Sequence, residues 1–323
     1  MKTTSKPLVV ASRGSRLALK QVEIVKDLLR ASDPSVTVEV MVVKTSGDVD
    51  QRPFSAISGK GLFTSEVERA VAEGAADFAV HSAKDLTAAI ADGCVIACVP
   101  PRAPRHDAVV GGSGSTGEER LGSLPEGATV GTSSMRRRAL LGEARPDLST
   151  VELRGNLDTR LAKVASGEVD AAILAEAGLA RLYGNEQVER GGLGADWWVP
   201  PPGQGALALE ARADDAELLQ LLSLIEHPAT RAELECERAF GAEMEGGCSV
   251  PLGCLAEERD GQLYVTGFLG LPDGSRSMRD RISGPGAQGA ALGKELARAM
   301  LDCGGEEIIE ELAYEEAPAV EEP

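Results

Sequence analysis

The stretch Gly131–Arg160, GTSSMRRRALLGEARPDLSTVELRGNLDTR, is one short unit written twice. Residues 129–132 read as a strand, after which Ser133 or Ser134 caps a helix whose first turn carries Arg136, Arg137 and Arg138. Residues 151–153 read as the next strand, and Arg154, Gly155 and Asn156 lead into a helix beginning near Leu157 and holding Arg160. Strand alternating with helix is the pattern of an α/β fold with a largely parallel sheet. Cations at a helix N-terminus oppose the macrodipole and cost a few tenths of a kcal/mol each, so the fold gains nothing locally from this placement. Two explanations stand: an anion held by backbone N–H groups and guanidinium forks together, or a solvated basic face paired with Glu143 and Asp147.

Working outward, composition narrows the function. A chain of 323 residues with 43% hydrophobic content supports two or three domains with real cores. The formal net charge is −18 and aromatics make up 3%, which argues against duplex binding and against stacking on single strands. No apolar run reaches membrane-spanning length, and the N-terminal MKTTSKPLVVASRGS is too short in apolar residues for a secretory core, so a cytoplasmic protein is expected. The six cysteines show no paired CxxC spacing, and the reading is reduced thiols with no metal site.

Before the opening stretch, residues 7–12 read as a buried strand. Arg13, Gly14 and Ser15 then turn into a helix with Ala18, Val22, Val25 and Leu29 on one stripe, and 36–43 alternates as a second strand. Residues 45–61 lack periodicity and read as a flap; 62–73 return to helical spacing, with Ser65 and Glu68 as a capping box. Residues 78–82 form another strand, with Lys84 and Asp85 at its carboxyl end, where open α/β sheets bind ligands. Asp85 is thus either a working carboxylate or the cap of the next turn. The proline-rich run near 98–110 crosses into a second domain, and 111–117 is a glycine–serine loop without a P-loop lysine signature. Residues 171–175 and 177–183 add a strand and a helix bearing Arg181. Residues 191–205 cross back, and 207–210 rejoin the first sheet. Beyond His227 come a helix at 229–244, strands around 254–257, 263–269 and 276–282 with Asp260-Gly261 and Asp273-Gly274 turns, and a helix at 290–302. The tail from Glu306 is acidic and is expected to fray at its end.

At Glu245 the chain reads EGGCSVPLG. With ASRGSRLAL at Ala11, GKGLF at Gly59, AVHSAKDL at Ala79, GTSSMRRR at Gly131, LRGNLDTR at Leu153, AGLARL at Ala177 and PGQGA at Pro202, it closely resembles the porphobilinogen deaminase family. The resemblance spans nearly the whole chain. It implies two type II periplasmic-binding-protein-like α/β lobes with a site cleft between them and a smaller α+β C-terminal domain. The corresponding boundaries are 1–103 with a return segment at 204–224, 106–200, and 227–318.

The same resemblance implies an enzyme, a transferase that joins four porphobilinogen units head to tail with loss of ammonia and releases hydroxymethylbilane for haem and related tetrapyrroles. The primer is a dipyrromethane cofactor, attached as a thioether to Cys248. Asp85 matches the catalytic carboxylate, Lys84, Ser134, Arg136, Arg137, Arg154 and Arg160 the cofactor-binding residues, and Arg13, Ser15 and Arg181 the substrate-binding ones. From its own surroundings Cys248 reads either as an exposed nucleophile after two glycines or as a packed thiol. A monomer acting on a small molecule, with no nucleic-acid or membrane partner, is the matching expectation. Ala56, Ser65, Thr87 and Pro202 depart from the commonest family residues at their positions.

Two other classes compete. A non-catalytic carboxylate-binding protein could use the same arginines, but the EGGC loop has no purpose in it. A thiol hydrolase would need a histidine beside Cys248. Of His81, His106 and His227, only His81 lies near an expected strand end, and there it reads as a packed residue.

Overall fold

The computed structural model describes residues 6–45, 64–184, 187–244 and 250–316. In chain order, β1 (Leu8–Arg13), α1 (Arg16–Ser32), β2 (Val38–Val43), α2 (Ser65–Ala72), β3 (Phe78–Ser82) and β4 (Cys94–Cys98) come first. There follow β5 (Asp107–Gly111), α3 (Gly117–Gly122), β6 (Thr129–Gly131), α4 (Met135–Ala144), β7 (Ser149–Val151), α5 (Leu157–Ala165), β8 (Ala171–Ala175) and α6 (Glu176–Tyr183). Then come β9 (Gly191–Gly192), β10 (Leu207–Arg212), α7 (Ala216–Leu222), α8 (Pro228–Glu243), β11 (Leu252–Arg259), β12 (Gln262–Gly270), β13 (Ser277–Pro285), α9 (Gly289–Met300) and α10 (Glu306–Glu316).

The expected α/β class and the α+β C-terminal portion are present as two five-stranded sheets and one three-stranded sheet. The first sheet runs β2-β1-β3-β10-β4, with β1 parallel to β2 and β3, and β10 antiparallel to β3 and β4. The second runs β7-β6-β8-β5-β9, with β6 parallel to β7 and β8. Both therefore carry the same central reversal of strand order, which leaves a crevice at the carboxyl ends of two neighbouring parallel strands. The third sheet is the antiparallel meander β11-β12-β13. Its first turn has Asp260 at φ 53° and Gly261 at φ 80°, the left-handed pair that a two-residue hairpin requires.

The chain divides into two compact units. One holds residues to Arg105, Ala175–Gln187 and Gly203–Leu234, and the other holds His106–Leu174, Val188–Pro202 and the chain from Glu235. The helix α6 thus packs with the first unit, against α1, where the sequence reading had put it in the second domain.

In the first unit Val22, Val25 and Leu29 of α1 join Phe78, Leu207, Leu209 and Leu222 in one core, while Val67 and Val71 of α2 cover the other face with Ala11 and Ala79. In the second unit Val130, Leu140, Leu141, Ile173 and Trp198 share a core with Leu255 and Phe268 of the third sheet. The third sheet is held there by backbone contact as well. A Cβ on Gly142 would stand 2.3 Å from the Asp273 carbonyl oxygen, and Arg279 donates to both carboxylate oxygens of Glu143 at 2.7 and 2.8 Å.

Several local expectations are revised. The N-cap of α2 is Thr64, with no side-chain capping bond, so Ser65 opens the helix and does not cap it. A reciprocal capping box does occur, between the N-cap Thr116 and Glu119 of α3, starting at the end of the run read as glycine–serine loop. Strand β4 and helix α7 went unrecognised, and β7 ends at Val151 where a strand was expected to begin. The acidic segment from Glu306 is a helix through Glu316 with Ile308 buried, and the end of the tail, where fraying was expected, lies outside the described residues. The expected flap falls, apart from Thr45, outside the described residues. No helix among the described residues is long and apolar enough to cross a membrane, and no group of three or more His, Cys, Asp or Glu among them could hold a metal ion.

One buried carboxylate organises the second unit. Asp107, fully buried at the start of β5, accepts from Arg136 Nη2 at 2.5 Å, Arg137 Nη2 at 2.6 Å and Trp198 Nε1 at 2.9 Å. The same guanidiniums donate to the Val199 and Ile173 carbonyls, which ties α4 to β8 and to the segment before Pro200. Burial pushes the Asp107 carboxyl up, and the two guanidiniums more than offset this, holding it well below the usual carboxylate range. A depressed carboxylate pKa contributes stability that is fully present above the unfolded value near 4 and is lost only as pH falls through the lower folded value. Asp107→Asn leaves two buried cations without their anion. It is expected to destabilise the chain by about 3–5 kcal/mol in urea denaturation at neutral pH. An unchanged unfolding midpoint would show that the cluster holds nothing together.

Candidate active site

In the first unit the carboxyl ends of β1 and β3 frame a cavity of about 70 Å³ whose lining includes Arg13, Ser15, Gln21, His81, Ser82 and Asp85. Three of the expected site residues, Arg13, Ser15 and Asp85, therefore meet in one place. Ser15 is the N-cap of α1 and accepts from the Ala18 N–H at 3.2 Å, so the first turn of that helix opens beside Arg13. Gln21, one turn further, hydrogen-bonds Ser82 at the end of β3 at 2.9 Å.

After β3 the chain makes a 3-10 turn, Ala83–Asp85, which leaves Lys84 and Asp85 exposed. Lys84 Nζ donates to Gln204 Oε1 at 3.4 Å. The carboxylate of Asp85 has no hydrogen-bond or ion-pair partner among the described residues, so it is not spent on capping the turn. Gly203 lies against this turn at φ 75°, where a Cβ would stand 3.0 Å from both the Ala83 carbonyl carbon and the Lys84 nitrogen. Gly203 thus packs directly against the turn that carries Lys84 and Asp85.

Arg181, on α6, also belongs to the first unit. Its Nη2 donates to the Gly205 carbonyl at 2.8 Å, and burial pulls its guanidinium down to about 10. It remains charged at neutral pH, with a carbonyl and no carboxylate as its partner among the described residues.

In the second unit the two halves of the opening stretch fold as twin helix starts. Ser134 caps α4 and Asn156 caps α5, accepting from Thr159 N at 2.9 Å, while Ser133 Oγ donates to the Leu153 carbonyl at 2.7 Å and ties one start to the other. Arg154 is half-buried, with Nε on Glu152 at 2.7 Å, and Arg160 Nε donates to the Gly155 carbonyl at 2.9 Å.

Arg136 and Arg137 stand differently from the expectation. They do not face an open groove but are buried on Asp107, so the first anion they hold is the chain's own. The basic-face reading fails too, because Glu143 pairs with Arg279 and Asp147 with Arg145. Yet one carboxylate cannot neutralise two guanidiniums, and the Nε groups of both arginines are buried without a hydrogen-bond partner. The cluster keeps a net positive charge next to the N-terminus of α4. Cys248 lies outside the described residues, as do Glu245 to Ser249 generally.

Sequence reading missed Asp107, since a lone aspartate after a proline-rich run carries no periodic signal. It also gave no weight to Gln204, which is fully buried.

Comparison with known proteins is consistent over most of the chain. Residues 8–220 match the family model described as porphobilinogen deaminase, dipyrromethane cofactor binding domain, and residues 232–302 match the porphobilinogen deaminase C-terminal domain. The chain is 45% identical over 303 residues to a porphobilinogen deaminase of Roseiflexus castenholzii, covering 94% of this chain and 98% of that one. It is 42% identical to that of Nitratidesulfovibrio vulgaris, over 95% and 97% of the two chains. Among solved structures, the periplasmic VFT2 domain of Bordetella pertussis BvgS is 16% identical with a TM-score of 0.39, covering 68% of this chain and 86% of that one. By family models spanning both of its parts and by relatives aligned along nearly its full length, the chain belongs to the porphobilinogen deaminase family.

Proposed function

We propose that Asp85, the cations of the two units and Cys248 are the working parts of the deaminase activity that family membership gives this chain. The single observation that carries the proposal is the first-unit cavity, where an unpartnered carboxylate, a guanidinium and a helix start converge at the carboxyl ends of β1 and β3. A porphobilinogen unit has complementary parts: acetate and propionate groups for the cations, and a pyrrole N–H for the carboxylate.

The cofactor fits the donor set. A dipyrromethane bears several carboxylates, and the second unit holds a buried cluster with more guanidinium than carboxylate, two arginines with orphaned Nε groups, and two capped helix starts. Ser134, Arg136, Arg137, Arg154 and Arg160 are the residues of this unit that would hold it, and Cys248 is the thiol that would carry it covalently. When bound, it supplies an electron-rich pyrrole as primer for the first condensation.

The chain's own residues then do the following. Arg13 and the first turn of α1 bind the substrate's carboxylates, and Arg181, lacking a carboxylate of its own, adds a further cation. As the substrate's aminomethyl C–N bond opens, positive charge builds on its ring. Asp85 accepts the pyrrole N–H and opposes that charge at short range, where a low local dielectric strengthens the attraction. The same reading makes the protein a cytoplasmic monomer.

Three measurements test this. Intact mass of the purified protein is expected to exceed the sequence mass by one dipyrromethane, with no excess in Cys248→Ser; a carboxylate-binding protein or a thiol hydrolase would show no excess in either. Asp85→Asn is expected to stay folded and loaded while turnover falls by about 10²-fold or more, and near-normal turnover would remove Asp85 from the mechanism. Arg154→Leu and Arg160→Leu are expected to impair cofactor assembly or elongation, read as the distribution of covalent adduct masses. A distribution like that of the unsubstituted protein would take both residues out of the binding set.

A further inference from the structure

His81 carries chemistry that the roles above leave unused. It lies on β3 in the lining of the Asp85 cavity, and the antiparallel partner β10 places Glu210 beside it. Nε2 of His81 is 2.9 Å from Glu210 Oε2, with side-chain exposures of 4% and 0%. The Glu210 carboxylate, fully buried, faces His81 through Oε2, and the Cys94 thiol lies beside it as well. With Nε2 facing Glu210, Nδ1 has no partner among the described residues, on a side chain that lines the cavity. A packed structural histidine has no need of a fully buried carboxylate behind it and an unpaired nitrogen in front.

The reaction has a matching need. In each condensation a C–N bond breaks with its electron pair leaving on nitrogen, a C–C bond forms to a pyrrole α-carbon, and that carbon's hydrogen departs as a proton which the released ammonia takes up. Asp85 opposes ring charge only while it stays ionised. If it accepted the proton, it would lose the charge for which it is placed. A second proton-holding group in the same cavity would leave Asp85 ionised throughout the step.

We propose that His81, held by Glu210, is that group: Nδ1 takes the α-carbon proton and passes it to the departing ammonia. The resulting imidazolium is paired with the Glu210 carboxylate, so no new charge is stranded in the core. The other ionisable groups around the pair are Arg13 from β1, Asp85 and Lys84 from the turn after β3, Glu68 from α2, Cys94 from β4 and Arg212 from β10. Glu210 raises the Cys94 thiol, after burial, to about 11, which keeps that thiol protonated and out of the relay.

The proposal rests on Asp85 acting as an ionised carboxylate, and the test separates the two. Holoenzyme labelled with 15N-histidine has three histidine side chains to follow, and the His81 signal is the one lost in His81→Gln. That signal is expected to respond to porphobilinogen, and Glu210→Gln is expected to alter that response. Glutamine can keep the bond to Glu210 but cannot carry the proton. Accordingly, His81→Gln is expected to retain the added cofactor mass and the KM, with kcat lower by about 10²-fold and one limb of the kcat pH profile gone.

A folded, loaded His81→Gln protein with unchanged kcat and pH profile overturns the proposal. So does a His81 signal that porphobilinogen leaves unmoved, or one whose response Glu210→Gln leaves unchanged. If His81→Gln does not fold, the Glu210→Gln response decides alone, with the His81 signal assigned by through-bond correlation. Near-normal turnover in Asp85→Asn would instead sink the Asp85 reading, while leaving the His81 response as it was.

Discussion

A single carboxylate shared between two guanidiniums sets what the second unit can do. Asp107 fixes Arg136 and Arg137 on the first turn of α4 by bonds of 2.5 and 2.6 Å, and each arginine reaches on to a backbone carbonyl of another segment. The charges do not cancel. In a buried setting such an excess is costly unless a further anion approaches. The arrangement therefore serves two ends: it locks the helix start that Ser134 caps, and it leaves that start more positive than its backbone alone would be. Desolvation lowers the Arg136 guanidinium from its ordinary value, the response expected of a cation short of compensation.

The first unit reaches a comparable result by other means. Its cavity sits where strand order reverses between β1 and β3, and the residues there come from strand ends and the turns that follow them. Regular hydrogen bonding ends at these points, so the ladder fixes where side chains such as Arg13 and Asp85 originate. Gly203 and Gln204 brace the turn from beneath, Gly203 because no side chain fits there and Gln204 because its amide meets Lys84 on one side and donates to the Arg105 carbonyl on the other.

How much of this could be read from the residues alone divides along physical lines. Elements with a strong period were legible: α1 from its stripe of Val22, Val25 and Leu29, β3 and β8 from their unbroken apolar runs, and the third sheet from its Asp-Gly turns. The cap at Ser134 and the helix start at Leu157 were legible because capping chemistry is local. What was not legible is tertiary. Nothing near Asp107 announces that arginines 29 and 30 positions later will close on it, and nothing near His81 announces Glu210, 129 positions away. The Thr116–Glu119 box was hidden by the glycines and serines around it, and the α10 helix by its charge. In α10 the acidic residues Glu306 and Glu307 occupy the first turn, where they favour the helix dipole.

The position of β10 bears on how the molecule is made. This strand lies between β3 and β4, yet it emerges from the ribosome only after the whole of the second sheet has been translated. At about 5–20 residues per second, the nascent N-terminal segment waits several seconds with two strand edges unpaired. Vectorial synthesis therefore cannot complete the first sheet in the order it is written, and the interval is one in which chaperone occupancy of those edges would matter to yield.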